Sequence, residues 1–367
     1  MRDSISTPFP LLRLILRSLC LCSALCSGHL QHLAAQDRIL HQQAGGGRFW
    51  MNGYIEDYTG REILLKIKPG ETPRRYPRGE VIEVVTEYTP HHDQGRKLYA
   101  AGKIAEVRPE LIAALEEEDR PWVRREILAT QVKCALWIGD YPTAIARFLP
   151  LVRSDAETFH YSLVPLNWTT RPPTEHLRFD ARDWIASTES PLNRLIGASW
   201  LLNVSDGTAD AELTLKRLAR EPDVRIQRLA QMQLWRRSLN GNAVVDPDEI
   251  RRWTEFAEAL PPELRGGSYF VIGQAWKQRQ EYEQAARSFL WLPLVYDSDR
   301  WLSSQACFEA AESLRLAGDP AQAARLYSEI VFRYGDTPWG KQAETLWKET
   351  VSKNTKSPNV KEQTPGE

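Results

Sequence analysis

The sequence predicts a mainly α-helical protein, an α-solenoid of helical hairpins preceded by a small all-β module. Three observations support this fold class. A pattern of small and aromatic residues occurs twice near the C terminus, with a spacing of 38 residues, which is typical of helical-hairpin repeats. A stretch before residue 88 alternates with a period of two, as strands do. Most of the remaining chain carries apolar residues at helical spacing.

The first 35 residues differ in composition from the rest. An apolar run at positions 11–25 follows Arg2 and is interrupted by two arginines, and two alanines precede Gln36. A basic start, an apolar core and small residues before a cleavage point are typical of an export signal. We therefore expect residues 1–35 to be a signal peptide and the mature chain to act in the periplasm or cell envelope. The two arginines leave a mitochondrial-type leader or a retained anchor as alternatives. No later apolar run reaches about 18 residues, so no transmembrane segment is expected after the leader.

Residues 36–87 form the predicted β module. Short alternating runs are separated by turn sequences at Thr59-Gly60 and Pro69-Gly70. The strand spacing resembles that of small Sm/SH3-like barrels, which implies nucleic-acid binding as one alternative function. However, positions 36–88 carry eight basic and eight acidic residues, and nucleic-acid binders usually show a clear basic excess. We therefore expect no nucleic-acid partner.

Residues 88–156 turn to a helical pattern with two hairpins. The second is the better defined, because Gly139 and Tyr141 are followed by Ala144 and Phe148 at helical spacing. Small residues allow two helices to approach closely, and the aromatic residue covers their contact. Residues 157–267 lack these marks. They begin with a connecting segment around Leu163–Trp168, and then predict five amphipathic helices near Glu175–Ala186, Leu192–Leu202, Ala209–Ala219, Val224–Leu239 and Pro247–Leu260. We interpret them as degenerate repeats, with a separate helical insert as the alternative.

Residues 268–351 contain the two clearest hairpins. The first places Ala285 and Phe289 after Tyr282, and the second places Ala323 and Tyr327 after Pro320. This spacing resembles the tetratricopeptide repeat. The second copy continues through Tyr-Gly-Asp-Thr to Gln-Ala, which is similar to the repeats of the periplasmic coordinator of the Tol-Pal system. The resemblance implies a bacterial envelope adaptor. Residues 352–367 are polar and lack a core-forming pattern, so we expect a disordered tail.

Charge and cysteine content narrow the chemistry. The net charge is −1, which indicates neither a polyanionic partner nor a membrane surface. Beyond the leader only Cys134 and Cys307 remain, and they are either buried thiols or a disulfide pair. The sequence carries no phosphate-binding glycine loop, nucleophile elbow or zinc-protease motif. We therefore expect no enzyme activity, no metal site and no cofactor.

The resemblance to tetratricopeptide repeats implies a scaffold that binds a protein or peptide on its concave face. In that family the first helix of each hairpin lines this face. The polar first-helix residues of the two clearest hairpins are therefore the candidate partner-binding residues: Gln274, Lys277, Gln305 and Glu309. An accessory subunit of an envelope enzyme complex is an alternative, and the sequence leaves homo-oligomerisation open.

Trp339 and Trp347 lie on the last predicted helix, where no further repeat follows to cover them. Eight residues place the two rings about 80° apart around a helix, so both can contribute to one broad face. The rings either cap the core under Leu326 and Ile330 or form a docking surface, and aromatic residues are over-represented at binding hot spots.

Overall fold

The computed structural model describes residues 36–43, 45–188, 190–240 and 244–355 of the 367-residue chain. The predicted signal peptide and positions 356–367 of the predicted tail lie outside these residues. The chain divides into two compact units. Of the described residues, the first unit comprises those from 36 to Ile55 together with Leu65–Glu87, and the second comprises Glu56–Leu64 together with those from Tyr88 to 355.

The β module is a five-stranded sheet in the order β4-β3-β2-β1-β5. Its strands are β1 (Asp37–Gln42), β2 (Arg48–Tyr58), β3 (Glu62–Lys66), β4 (Arg74–Pro77) and β5 (Val81–Val85). Strand β1 lies between β2 and β5 and runs antiparallel to both, with Ile39 opposite Met51 on one side and Val84 on the other. Alternate residues such as Ile39, Ile63 and Leu65 are fully buried, as a period of two requires.

Fourteen α-helices follow in the described part of the chain. They are α1 (Pro90–Ala100), α2 (Ile104–Glu117), α3 (Pro121–Ile138), α4 (Tyr141–Ser154), α5 (Glu175–Ala186), α6 (Pro191–Leu201), α7 (Thr208–Leu218), α8 (Val224–Leu239), α9 (Pro247–Glu258), α10 (Pro262–Gln278), α11 (Tyr282–Val295), α12 (Arg300–Leu316), α13 (Pro320–Tyr334) and α14 (Pro338–Thr355). Their starts are well defined because side chains such as Ser190, Asp246 and Asp319 accept a hydrogen bond from the first helical turn.

Most consecutive helices pack against each other along the chain, so the predicted fold class, mainly α with a small β module, is confirmed. The arrangement is compatible with a solenoid of helical repeats. The alanines of the repeat pattern lie where helices meet: Ala144, Ala285 and Ala323 are all fully buried. One hydrophobic core runs from Leu128 in α3 to Ala310 in α12, and a second, smaller core lies between α12, α13 and α14.

Helix α12 also packs against α3, although more than 160 residues separate their starts. The Tyr141 hydroxyl donates to Asp299 Oδ2 at 2.9 Å, which joins the start of α4 to the start of α12. The Trp301 ring covers Gly139, where a Cβ atom would lie 2.5 Å from the indole. Gly139 also has a positive φ of 71° at the end of α3, so two requirements favour glycine there. The helical unit therefore closes back on its own beginning, a contact that simple sequential stacking does not predict.

Candidate functional site

The connecting segment between α4 and α5 lies inside the helical unit. We call residues 161–171 the enclosed segment. It begins with a 3-10 turn, Tyr161–Leu163, that packs against α3 and α10. Leu163, Leu166 and Asn167 are at most 3% exposed. Residues 161–169 of this stretch, which the sequence predicts only as a connection, are thus buried or half-buried, and its last two residues, Thr170 and Arg171, are exposed.

Side chains of α6 and α8 recognise the main chain of the enclosed segment. The Trp200 indole N–H donates to the Pro165 carbonyl at 3.1 Å. The Asn167 N–H donates to Ser199 Oγ at 2.8 Å. The Arg236 guanidinium donates through Nη2 to the Thr169 carbonyl at 2.7 Å. Backbone groups that are removed from water need hydrogen-bond partners. The side chains of α6 and α8 supply these partners here, as the backbone of a neighbouring strand does in a sheet.

Trp168 anchors the segment on α10. A Cβ atom built on Gly267 would lie 1.9 Å from the indole, so the ring rests directly on the helix backbone. Glycine in the middle of a helix is unfavourable by about 1 kcal/mol relative to alanine. The close approach of the Trp168 ring explains why glycine nevertheless occupies this position. The glycine pair in α10 is the only local sign in the sequence that a large side chain packs there.

Beside Thr169 the enclosed segment leaves a cavity of about 240 Å³, which we call the polar cavity. Its walls come from the enclosed segment, from the ends of α6 and α8, and from α10 and α12. Most of its lining side chains carry amides or hydroxyls, and the lining residues are Trp168, Thr169, Thr170, Asn203, Arg236, Leu239, Asn240, Phe270, Gln274, Gln278, Gln305 and Glu309. Amide groups both donate and accept hydrogen bonds, so such a wall can satisfy the N–H and C=O groups of a peptide.

The four candidate residues of the first helices lie together. Gln274, Gln305 and Glu309 line the polar cavity. Lys277 forms an ion pair with Glu309, and its Nζ lies 2.5 Å from Glu309 Oε2. All four side chains are half-buried. The structure therefore groups residues that the sequence placed on two separate helices.

Arg236 is the main cavity residue that sequence reasoning missed. It is 3% exposed, and its Nη1 donates to Gln233 Oε1 and to the Ser199 carbonyl. Burial lowers the pKa of Arg236 to about 9. A sequence signal existed, because Gln233 and Arg236 interrupt the apolar stripe of α8 that contains Leu229. Two polar residues on the buried face of one helix indicate a buried polar network.

The tryptophans of the last helix lie apart from the polar cavity. Trp339 is half-buried and meets Trp301 edge-on, with ring centroids 5.1 Å apart. Trp347 is half-buried against the terminal core, which includes Tyr327 and Ile330. Ala343, between them on the helix, is fully buried in this core. The structure thus places both rings partly over the core, and neither stands free of neighbours.

Other reactive groups in the described residues are few. Cys134 and Cys307 are both buried and unbonded, and burial raises the pKa of each thiol to about 12. Within the same residues, no three His, Cys, Asp or Glu side chains come close enough to hold a metal ion. Likewise, the described helices include none with both the length and the apolar character needed to span a membrane.

Neither the available protein-family models nor the curated proteins match this chain. The fold and the polar cavity are therefore the basis for any assignment of function.

Proposed function

We propose that the protein is a non-catalytic adaptor whose helical hairpins are tetratricopeptide-like and whose polar cavity binds a short peptide segment of a partner protein. One observation carries this proposal. The same helices already hold an irregular stretch of chain, the enclosed segment, through its main-chain groups. The polar cavity continues from that segment at Thr169 and offers further amide groups of the same kind.

The cavity chemistry favours binding over reaction. Five of its twelve lining side chains are glutamine or asparagine, and its one lining carboxylate, Glu309, is paired with Lys277. Amides are neither general acids nor nucleophiles at neutral pH, but they orient a ligand through hydrogen bonds. Phe270 and Leu239 add apolar contacts on the same wall. This combination suits a peptide whose backbone is held by amides and whose side chain packs on an aromatic ring.

A peptide-selection experiment tests the proposal. A phage-displayed random peptide library is panned against the purified protein, and selected peptides are titrated by fluorescence anisotropy. The double variant Gln274→Ala/Gln305→Ala should weaken binding roughly 5- to 100-fold, because each lost hydrogen bond contributes about 0.5–1.5 kcal/mol. The double variant Gln284→Ala/Gln342→Ala is the matched control, since both of these glutamines are exposed on α11 and α14.

Equal binding to both double variants, or no selected peptide at all, would contradict the proposed site. Binding of a single-stranded RNA that weakens steeply with salt would instead favour the nucleic-acid alternative.

We also propose that the protein works in the bacterial cell envelope after removal of residues 1–35. The basic and apolar pattern of those residues supports this location. N-terminal sequencing of protein from the envelope fraction should find a start near Gln36. An intact Met1 in a cytoplasmic fraction would rule out export.

A further inference from the structure

The charge of Arg236 has no acidic partner in the described part of the chain. Its three hydrogen bonds go to the Ser199 carbonyl, Gln233 Oε1 and the Thr169 carbonyl, all of which are neutral. Burial alone accounts for its lowered pKa, with no carboxylate contributing. The pKa remains near 9, so the guanidinium is charged at neutral pH. A buried charge without a counter-charge is costly, and most proteins avoid it.

The guanidinium also has unused donors. Arginine has five N–H groups, of which two on Nη1 and one on Nη2 are accounted for. The Nε–H and the second Nη2–H have no acceptor among the described residues. These two nitrogens lie on the same edge of the guanidinium, and one edge of this group can pair with both oxygens of a carboxylate. Arg236 lines the polar cavity, so a ligand there can reach it.

The other charged group on the cavity wall does not supply the missing partner. Glu309 Oε2 lies 2.5 Å from Lys277 Nζ, so this carboxylate is already neutralised by a neighbouring amine. The remaining polar side chains around Arg236, such as Asn203 and Asn240, are neutral amides. The cavity therefore combines one uncompensated positive charge with a neutral hydrogen-bonding wall.

We infer that the ligand of the polar cavity carries a carboxylate that pairs with Arg236, either the C terminus of a peptide or an Asp or Glu side chain. This inference rests on the proposed function and specifies its partner. A carboxylate would occupy the two free donors and neutralise the buried charge, while the amides hold the adjoining peptide groups. The binding of the ligand would thus satisfy a polar network that the chain alone leaves incomplete.

Three pools of random pentapeptides, labelled with the uncharged dansyl group, test this inference by anisotropy titration with the full-length protein. The first pool lacks Asp and Glu but has a free C-terminal carboxylate. The second is the same pool with an amidated C terminus, and the third is amidated with one fixed central Asp. At least one carboxylate-bearing pool should bind about tenfold or more tightly than the neutral pool, because a charge-assisted bond is roughly twice as strong as a neutral one. The pool that binds identifies the source of the carboxylate.

Variants then test whether Arg236 causes the preference for peptides with a carboxylate. Arg236→Gln should abolish the preference for carboxylate, whereas Arg237→Gln, a change to the neighbouring exposed arginine, should keep it. Circular dichroism verifies that each variant folds. If Arg236→Gln does not fold, Arg236→Lys retains the charge but cannot pair side-on, and it should reduce the preference.

Equal affinity for all three pools, with binding still sensitive to Gln274→Ala/Gln305→Ala, would overturn this inference and leave the proposed function standing. Arg236 would then only hold the enclosed segment in place. A carboxylate preference that survives in Arg236→Gln would also overturn it. Absence of binding by every pool and by every phage-selected peptide would overturn both proposals together.

Discussion

Single residues decide how closely the parts of the helical unit approach. Gly267 and Gly139 each lie under an indole ring, Trp168 and Trp301 respectively, at distances that no Cβ atom tolerates. Both rings belong to contacts between segments that are distant in sequence. The glycines are therefore positions where a one-carbon change should have large effects.

Gly267→Ala tests the contact between Trp168 of the enclosed segment and the backbone of α10. The added methyl would lie 1.9 Å from the Trp168 ring and must displace it. Overpacking of this kind typically costs about 1–3 kcal/mol, which should appear as a lower free energy of unfolding in urea. Gly79→Ala is the control, since a Cβ there meets nothing within 4 Å. Equal stability of the two variants would mean that Trp168 does not rest on α10.

Asp299 gives a pH dependence with a definite sign. Burial raises the pKa of this carboxyl from 3.8 to about 6, although hydrogen bonds from Leu302 N–H and Tyr141 oppose the rise. Between these two pH values the folded state holds a proton that the unfolded state has lost. The free energy of unfolding therefore falls as pH increases through this window. The stabilisation that the protonated Asp299 carboxyl provides is fully present only below the pKa of the unfolded state.

Asp299→Asn keeps Oδ1 as the acceptor for the Leu302 N–H, and its Nδ2 can donate to the Tyr141 hydroxyl, but the substitution removes the titration. Its stability relative to the original protein should therefore increase by roughly 1–2 kcal/mol between pH 4 and pH 7, a modest value because the carboxyl is partly exposed. Urea denaturation at several pH values measures the difference. Asp319→Asn should change in the opposite direction and only below about pH 4, since the Gln322 N–H and amide lower the pKa of Asp319 from 3.8. Parallel curves for Asp299→Asn and the original protein would contradict the assignment.

At the scale of elements, the hairpins depend on alanines at helix contacts. Ala323 in α13 is fully buried, while Ala321, two residues earlier, is exposed. Ala323→Glu would place an unpaired carboxylate in the terminal core, at a cost of several kcal/mol out of a typical total of about 5–15 kcal/mol. The melting temperature, followed by circular dichroism, should fall sharply for Ala323→Glu and barely change for Ala321→Glu. A similar melt for both variants would show that α13 packs with another face.

The last helix offers a second test at this scale. Replacing both Trp339 and Trp347 with alanine should cost roughly 2–4 kcal/mol, because each half-buried ring covers part of a core or another ring. The segment after residue 320 should then be cleaved faster by protease. Phe332→Ala is the control, since that ring is 91% exposed. If stability is unchanged but self-association in sedimentation is lost, the tryptophans are a docking surface instead.

At the scale of the whole molecule, the described chain combines a small sheet with a helical unit that returns to its own start. In an open array of repeats, each repeat contacts only its neighbouring repeats. Here Trp301 in α12 covers Gly139 at the end of α3, and Arg171 of the enclosed segment lies between Tyr141 and Trp301. The stability of the early hairpins should therefore depend on a helix far along the chain.

Trp301→Ala tests this dependence. The variant should increase amide hydrogen exchange at residues 135–141, because the end of α3 loses its cover. Trp291→Ala is the matched control, since Trp291 stacks on Tyr269 and lies outside this contact. Mass spectrometry of exchanged peptides resolves the two regions. Exchange at 135–141 that is the same in both variants would mean that α12 does not stabilise α3.

The sequence by itself determined the fold class and most helix positions. The predicted ranges Glu175–Ala186 and Val224–Leu239 coincide with α5 and α8. The prediction of helix positions succeeds because helix formation depends on the spacing of apolar residues and on capping side chains. Both can be recognised from residues that are close together in the sequence. The choice of Gln274, Lys277, Gln305 and Glu309 as partner-binding residues rested on the resemblance alone and stays a prediction, although the four side chains lie close together.

Only the tertiary structure decided where the connecting segment goes and what the cavity contains. Leu163–Trp168 has the sequence of a loop, yet most of it is buried, because Ser199 and Trp200 satisfy its backbone and Arg236 satisfies that of the adjoining Thr169. The return of α12 to α3 joins residues about 160 positions apart, such as Tyr141 and Asp299. Neither feature has a local pattern, because each depends on hydrogen bonds and close contacts between segments that meet only after the chain has folded. The uncompensated charge of Arg236 belongs to the same class, since the lack of a nearby acid is a property of the folded arrangement.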